Sequence, residues 1–150
     1  MRHVLALLIV HAAVWAAGPA AASAETCERA TLDQSLAASE AVFSGVVAAA
    51  QLVGPELDTV RVDIVPTRVF KGESADRYVV HTRRPAEGFE FVAGEHYVVF
   101  AHANGRTSPP EIDGLSATAL VTTTCTYTTK QFAESSAVVR WLERASRDAR

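Results

Sequence analysis

The run Asp58-Thr-Val-Arg-Val-Asp-Ile-Val-Pro-Thr-Arg-Val-Phe-Lys-Gly-Glu73 decides the fold. Val60, Val62 and Ile64 alternate with Arg61 and Asp63, so apolar and charged side chains leave opposite faces of an extended backbone. That is the pattern of a half-buried strand. Pro66 has no N–H to give a ladder and marks an edge or a bend. Phe70-Lys-Gly-Glu-Ser-Ala-Asp-Arg77 then reads as a turn.

Strands recur on both sides of this run. Ala41-Val-Phe-Ser-Gly-Val-Val-Ala-Ala-Ala-Gln-Leu-Val53 carries the strand formers Val42, Phe43, Val46 and Val47, with Gly45 as a bulge or bend. Gly54-Pro-Glu-Leu57 is a turn. Downstream, Tyr78–Arg84 forms the next strand, and residues 85–96 form a loop that delivers Phe89 and Phe91. His96–Ala103 is the most apolar strand. The glycine- and proline-rich residues 104–114 form an exposed loop, either a recognition loop or a tolerated insertion. Residues 115–128 supply the last one or two strands, giving five or six in all.

Helices are expected at both ends. Thr31 with Gln34 fits a capping box opening a short helix to about Ser39, with Leu32 and Leu36 on its buried side. Thr128 with Gln131 fits a second box, followed by Phe132, Val139 and Leu142 at helical spacing and a basic C-terminal turn. Trp141 is expected to pack against the strands. The fold class is mainly β, with a short N-terminal and a C-terminal helix.

The first 24 residues read as a signal peptide. Arg2 and His3 precede the apolar run Val4–Ala17, Gly18 and Pro19 break it, and Ala22-Ser-Ala24 is a small-residue cleavage site. The apolar run is shorter than the roughly 20 residues of a spanning helix. Residues 25–150 form a single domain, and no second apolar segment places a membrane span in that mature chain. Without Arg2 the 14 basic residues become 13 against 17 acidic ones, a net charge of −4. Such acidity argues against a nucleic-acid partner, which favours a basic face. The two cysteines, Cys27 and Cys125, both lie in the exported part, and an even count in an oxidising compartment reads as one disulfide. Closing so long a loop stabilises by on the order of 4 kcal/mol in the chain-entropy account.

Taken in order, Cys27, Leu36-Ala-Ala-Ser-Glu-Ala-Val-Phe-Ser-Gly-Val46, Val65-Pro-Thr-Arg-Val-Phe-Lys-Gly72, Phe91-Val-Ala-Gly-Glu-His-Tyr-Val-Val-Phe-Ala101 and Cys125 resemble the netrin-like modules that include the tissue inhibitors of metalloproteinases. The resemblance runs from Cys27 to the C-terminal helix. It implies a five-stranded OB-type barrel with flanking helices, and a disulfide tying the start of the domain to its last strands. The inhibitors chelate the zinc of an extracellular metalloprotease through the amine and carbonyl of their first cysteine. Here Glu25 and Thr26 precede Cys27, the charged Glu28 follows it, and Arg29 stands where the inhibitors have a second cysteine. The fold therefore carries over better than the inhibition.

No catalytic motif stands out. A glycine-flanked serine elbow, a His-Glu-x-x-His and a phosphate loop are all lacking. Ser44 has no partner visible in the sequence. Glu87, Glu90 and Glu95 surround the phenylalanine loop as solvated acids. His96 and His102 share one face of a strand, and His81 lies in another. Six residues of strand span roughly 20 Å, too far for two ligands on one ion, so these are read as surface histidines. No metal and no cofactor are expected. Arg83, Arg84, Phe89 and Phe91 gather around one loop; the phenylalanines are read as plugging the end of the barrel, the arginines as keeping it soluble. The expectation is an exported, non-catalytic protein-binding domain located outside the cell, in the periplasm or at the envelope, with Cys27, Glu28, Arg83, Arg84, Phe89 and Phe91 as candidate partner residues. Its alternatives are a metalloprotease inhibitor acting through Cys27 and an OB-type carbohydrate binder using Phe89 and Phe91.

Overall fold

The computed structural model describes residues 30–84, 88–105, 111–131 and 136–148. The chain runs α1 (Leu32–Ala38), β1 (Ala41–Val53), β2 (Thr59–Lys71), β3 (Tyr78–Arg83), β4 (His96–Ala103), β5 (Leu120–Val121), β6 (Thr129–Lys130) and α2 (Ala137–Asp148). It is mainly β with two helices. The strands lie in the order β1-β2-β3-β5-β4-β6, and β1 also pairs with β4, so five of the six close into a ring. All neighbours are antiparallel except β3 and β5.

Closure depends on the length and bending of β1. Its first six residues, Ala41–Val46, pair with β4, while the whole strand runs against β2. The β1–β2 register slips between Val42 and Phe43, between Ser44 and Gly45, and between Val47 and Ala49. Such bulges bend a strand and add twist, which a sheet needs to curl onto itself. Gly45 sits at the middle slip, as its place in the sequence suggested, and faces Pro66. A Cβ on Gly45 would lie 2.6 Å from the Val65 carbonyl oxygen and 2.8 Å from Ile64 Cγ2. Only glycine lets the two backbones approach so closely. Pro66 falls where β2 has already left β3, whose pairing ends at Ile64, so its missing N–H costs no bond on that side.

Alternation sorts the apolar residues into two clusters. Phe43, Val47, Val62, Ile64, Tyr78, Val80, Phe91, Tyr97, Val99 and Ala101 fill the inside of the ring. There Phe43 stacks on Tyr78 with centroids 4.0 Å apart. Val42, Val98 and Phe100 point outwards and are covered by Val139 and Leu142 of α2, with Leu32, Leu36 and Trp141 packed beside them. β4 is thus buried on both faces, the physical meaning of its nearly unbroken apolar run.

The first capping box is present: Gln34 N–H donates to Thr31 Oγ1 (3.3 Å), and Thr31 N–H to Gln34 Oε1 (2.9 Å). The second is not. Thr128 Oγ1 instead accepts from Phe100 N–H (2.9 Å), and Gln131 N–H donates to the His96 carbonyl (2.7 Å), so this stretch extends β6 along β4. Thr128 hydroxyl is buried beside an unmet strand amide, a stronger claim than a helix end several residues away. The cap of α2 is Ser136, whose Oγ accepts from Val139 N–H at 3.3 Å. Phe132, expected in that helix, lies outside the described residues, as do the signal peptide, Cys27, Glu28 and Glu87.

Replacing Gly45 with alanine should destabilise the domain by about 2 kcal/mol, the usual scale of an overpacked site. Urea unfolding of Gly45→Ala with an unchanged midpoint would mean that the strands separate there at little cost.

Candidate functional site

The N-terminal edge is set by a threonine-rich turn. Cys125 N–H donates to Thr123 Oγ1 (3.1 Å), and Thr126 bonds the Thr123 carbonyl through both its N–H (3.2 Å) and its hydroxyl (2.8 Å). Thr122 Oγ1, which donates to the Phe100 carbonyl (3.1 Å), lies 2.7 Å from Thr128 Oγ1 and 2.9 Å from Thr126 Oγ1. These short side chains brace the turn against β4. Ala30 N–H donates to the Cys125 carbonyl at 3.3 Å, so the chain enters the domain beside Cys125.

The arginine and phenylalanine residues of the second candidate surface part company. Phe91 is 8% exposed and Phe89 is half-buried. Their rings lie 5.0 Å apart and 4.9 and 5.8 Å from that of Tyr97. Phe89 N–H donates to Thr82 Oγ1 (2.9 Å) and Val92 N–H to the Tyr97 hydroxyl (3.0 Å), which fixes the loop across the mouth of the ring. Arg84 is exposed, and the Arg83 guanidinium donates to the Glu111 carbonyl (3.1 Å). This loop leads into the start of β4 at His96, whereas the Cys125 turn is braced on Phe100, four residues further along the strand. The Cys125 turn and the phenylalanine loop therefore meet β4 at different points.

The histidines are less exposed than expected. His96 and His102 do share a face of β4, but His102 is only 4% exposed. His81 and His102 both pair with Val121, so β5 stands between them. Among the described residues no group of three or more histidine, cysteine or acidic side chains is placed to hold a metal ion.

A polar cleft of about 300 Å³ lies where α2 crosses β1 and β2, lined by Ser44, Thr67, Arg68, His96, Gln131, Val139 and Glu143. The sequence hid it because Ser44, Thr67 and His96 come from three strands and meet only through the register. Ser44 Oγ and His96 Nε2 each lie 3.0 Å from Thr67 Oγ1, which itself donates to the Ser44 carbonyl (3.2 Å). The Thr67 hydroxyl has a single proton to share among these partners, and the direction of its contacts with Ser44 and His96 follows the imidazole tautomer. The three side chains tie β1, β2 and β4 together along the wall of the cleft. Arg68 pairs with Glu143 over the cleft and fastens α2 to β2.

His81 lies half-buried on β3. Burial holds it below the ordinary histidine range, and Arg61, its partner on β2, pushes the same way; the Leu120 backbone and Asp63 oppose them. Its Nδ1 is buried with no hydrogen-bond partner among the described residues. Compared with known proteins, the chain matches no family model and no curated protein. No helix among the described residues is long and apolar enough to cross a membrane.

A histidine whose folded pKa is depressed adds stability that is complete above the unfolded value of about 6.5 and lost as pH falls through the folded value. The melting temperature should therefore drop below about pH 6.5, and His81→Gln should shrink the drop. An imidazole titration measured by NMR at or above 6.5 would contradict this.

Proposed function

We propose that the chain is an exported, non-catalytic protein-binding module, an OB-type barrel of the netrin-like kind, located outside the cell or in its envelope. The ring of five strands with helices packed outside supports the barrel reading. The observation that carries the functional reading is the bond between Ala30 N–H and the Cys125 carbonyl. It brings the chain three residues beyond Cys27 against the turn that holds Cys125. A Cys27–Cys125 disulfide would then clamp the entry edge, with Glu28 at its rim, to a turn already braced by four threonine hydroxyls. An edge ordered before contact loses little entropy on docking, which favours a protein partner gripped there. The phenylalanines, packed on Tyr97, belong to the core on this reading, and Arg84 forms a second, separate rim.

The test begins with intact mass and N-terminal sequencing of the exported protein, before and after reduction. The expected product starts at Glu25 and gains two hydrogens on reduction. Binding to proteins of the surrounding compartment should be saturable and should weaken in Cys27→Ala, whose melting temperature should also fall. Two free thiols in the exported protein would overturn the clamp. A chain that starts at Cys27 would instead direct the search to zinc proteases.

A further inference from the structure

Among the described residues, two lengths of strand edge on the long hairpin are treated in opposite ways. The first is β2 from Val65 onwards, beyond the end of its pairing with β3. It carries Pro66, Arg68 and Lys71, and α2 reaches it through the Arg68–Glu143 pair and the bond from Ser146 Oγ to the Phe70 carbonyl (3.5 Å). Proline, charge and a covering helix are the usual guards of a free edge.

The second is β1 after Val47. The Val47 N–H and carbonyl are met by Glu95 and Gly94 at 3.0 and 2.8 Å. Beyond that point, among the described residues, β1 pairs only with β2. Residues Ala48–Leu52 are exposed in succession, so this half of the hairpin stands clear of the body. From Ala48 to Val53 it contains neither proline nor charge, and its single bulge lies at the start. Exposed apolar side chains bracket it: Leu52 at 45%, Leu57 at 51% in the turn beyond, and Val92 at 46% in the loop that caps Val47.

We infer that two copies of this chain pair antiparallel through the β1 edge, Ala48–Leu52 against Ala48–Leu52, to form a two-fold dimer with a sheet continuous across it. The occupant is a second copy because the edge complements itself. A two-fold axis near Ala50 lays Leu57 of one protomer towards Val92 of its partner, and repeats that contact by symmetry. It also places the acidic turns, with Glu56 and Asp58, at opposite ends of the dimer, where a parallel arrangement would set like charges side by side. Main-chain hydrogen bonds would supply affinity and the flanking apolar contacts the register. This inference does not rest on the netrin-like reading or on the disulfide.

Sedimentation equilibrium of the purified exported chain tests it. A concentration-dependent dimer is expected. Ala50→Lys and Leu52→Lys should each weaken it at least about tenfold without lowering the melting temperature at concentrations where the wild type is monomeric, since both sites are already exposed. Val65→Lys, on the guarded edge, should leave the dimer intact. In a separate variant, Ala50→Cys should form an inter-chain disulfide on mild oxidation, because partners across a two-fold strand pair lie within bridging distance. A wild-type monomer at every concentration reached would overturn the inference. So would a dimer indifferent to both lysines, or an Ala50→Cys chain that never cross-links.

Discussion

Everything in this fold follows from one strand having two neighbours on opposite sides at one end. β1 must hold β4 along its first half while it follows β2 along its whole length, and a flat strand cannot do both in a closing ring. The bend is concentrated at Gly45, where the Val65 carbonyl approaches so closely that no side chain fits. Once β1 is bent, β4 is brought to its other side, and β5 needs only two residues to bridge β3 and β4. The short strands are consequences of closure rather than independent elements; a two-residue strand has too few bonds to persist alone.

Much of this was legible from residue patterns. The alternation of Val60, Val62 and Ile64, the unbroken run of β4, the cap at Thr31 and the glycine bulge each rest on local chemistry that the tertiary structure leaves alone. The misreading at Thr128 and Gln131 has the opposite cause. Their spacing matched a helix cap, but a buried strand amide 28 residues earlier, at Phe100, took the threonine hydroxyl. Local patterns cannot register a partner that arrives from another strand.

The same limit governs the candidate sites. Phe89 and Phe91 could be read as plugging the ring because bulky aromatics in a strand-flanking loop have few other places to go. The burial of His102 and the meeting of Ser44, Thr67 and His96 were not readable, since both depend on register between strands distant in sequence. The polar cleft shows why such a meeting need not be chemistry. Three groups that resemble parts of a relay meet there through register alone, and the central Thr67 hydroxyl also lies 3.2 Å from the Ser44 carbonyl, a contact that pins β2 to β1.

The enclosure of β4 has a kinetic side. Its amides lie between β1 on one edge and β5 and β6 along its length, and both of its faces are covered. Solvent can reach them only when the ring opens and α2 lifts away together, so their hydrogen exchange should report global unfolding. The outer half of β1, whose far edge is open to water, can exchange through local fraying of the hairpin alone. One chain therefore carries its slowest clock and one of its fastest on strands that are directly bonded to each other.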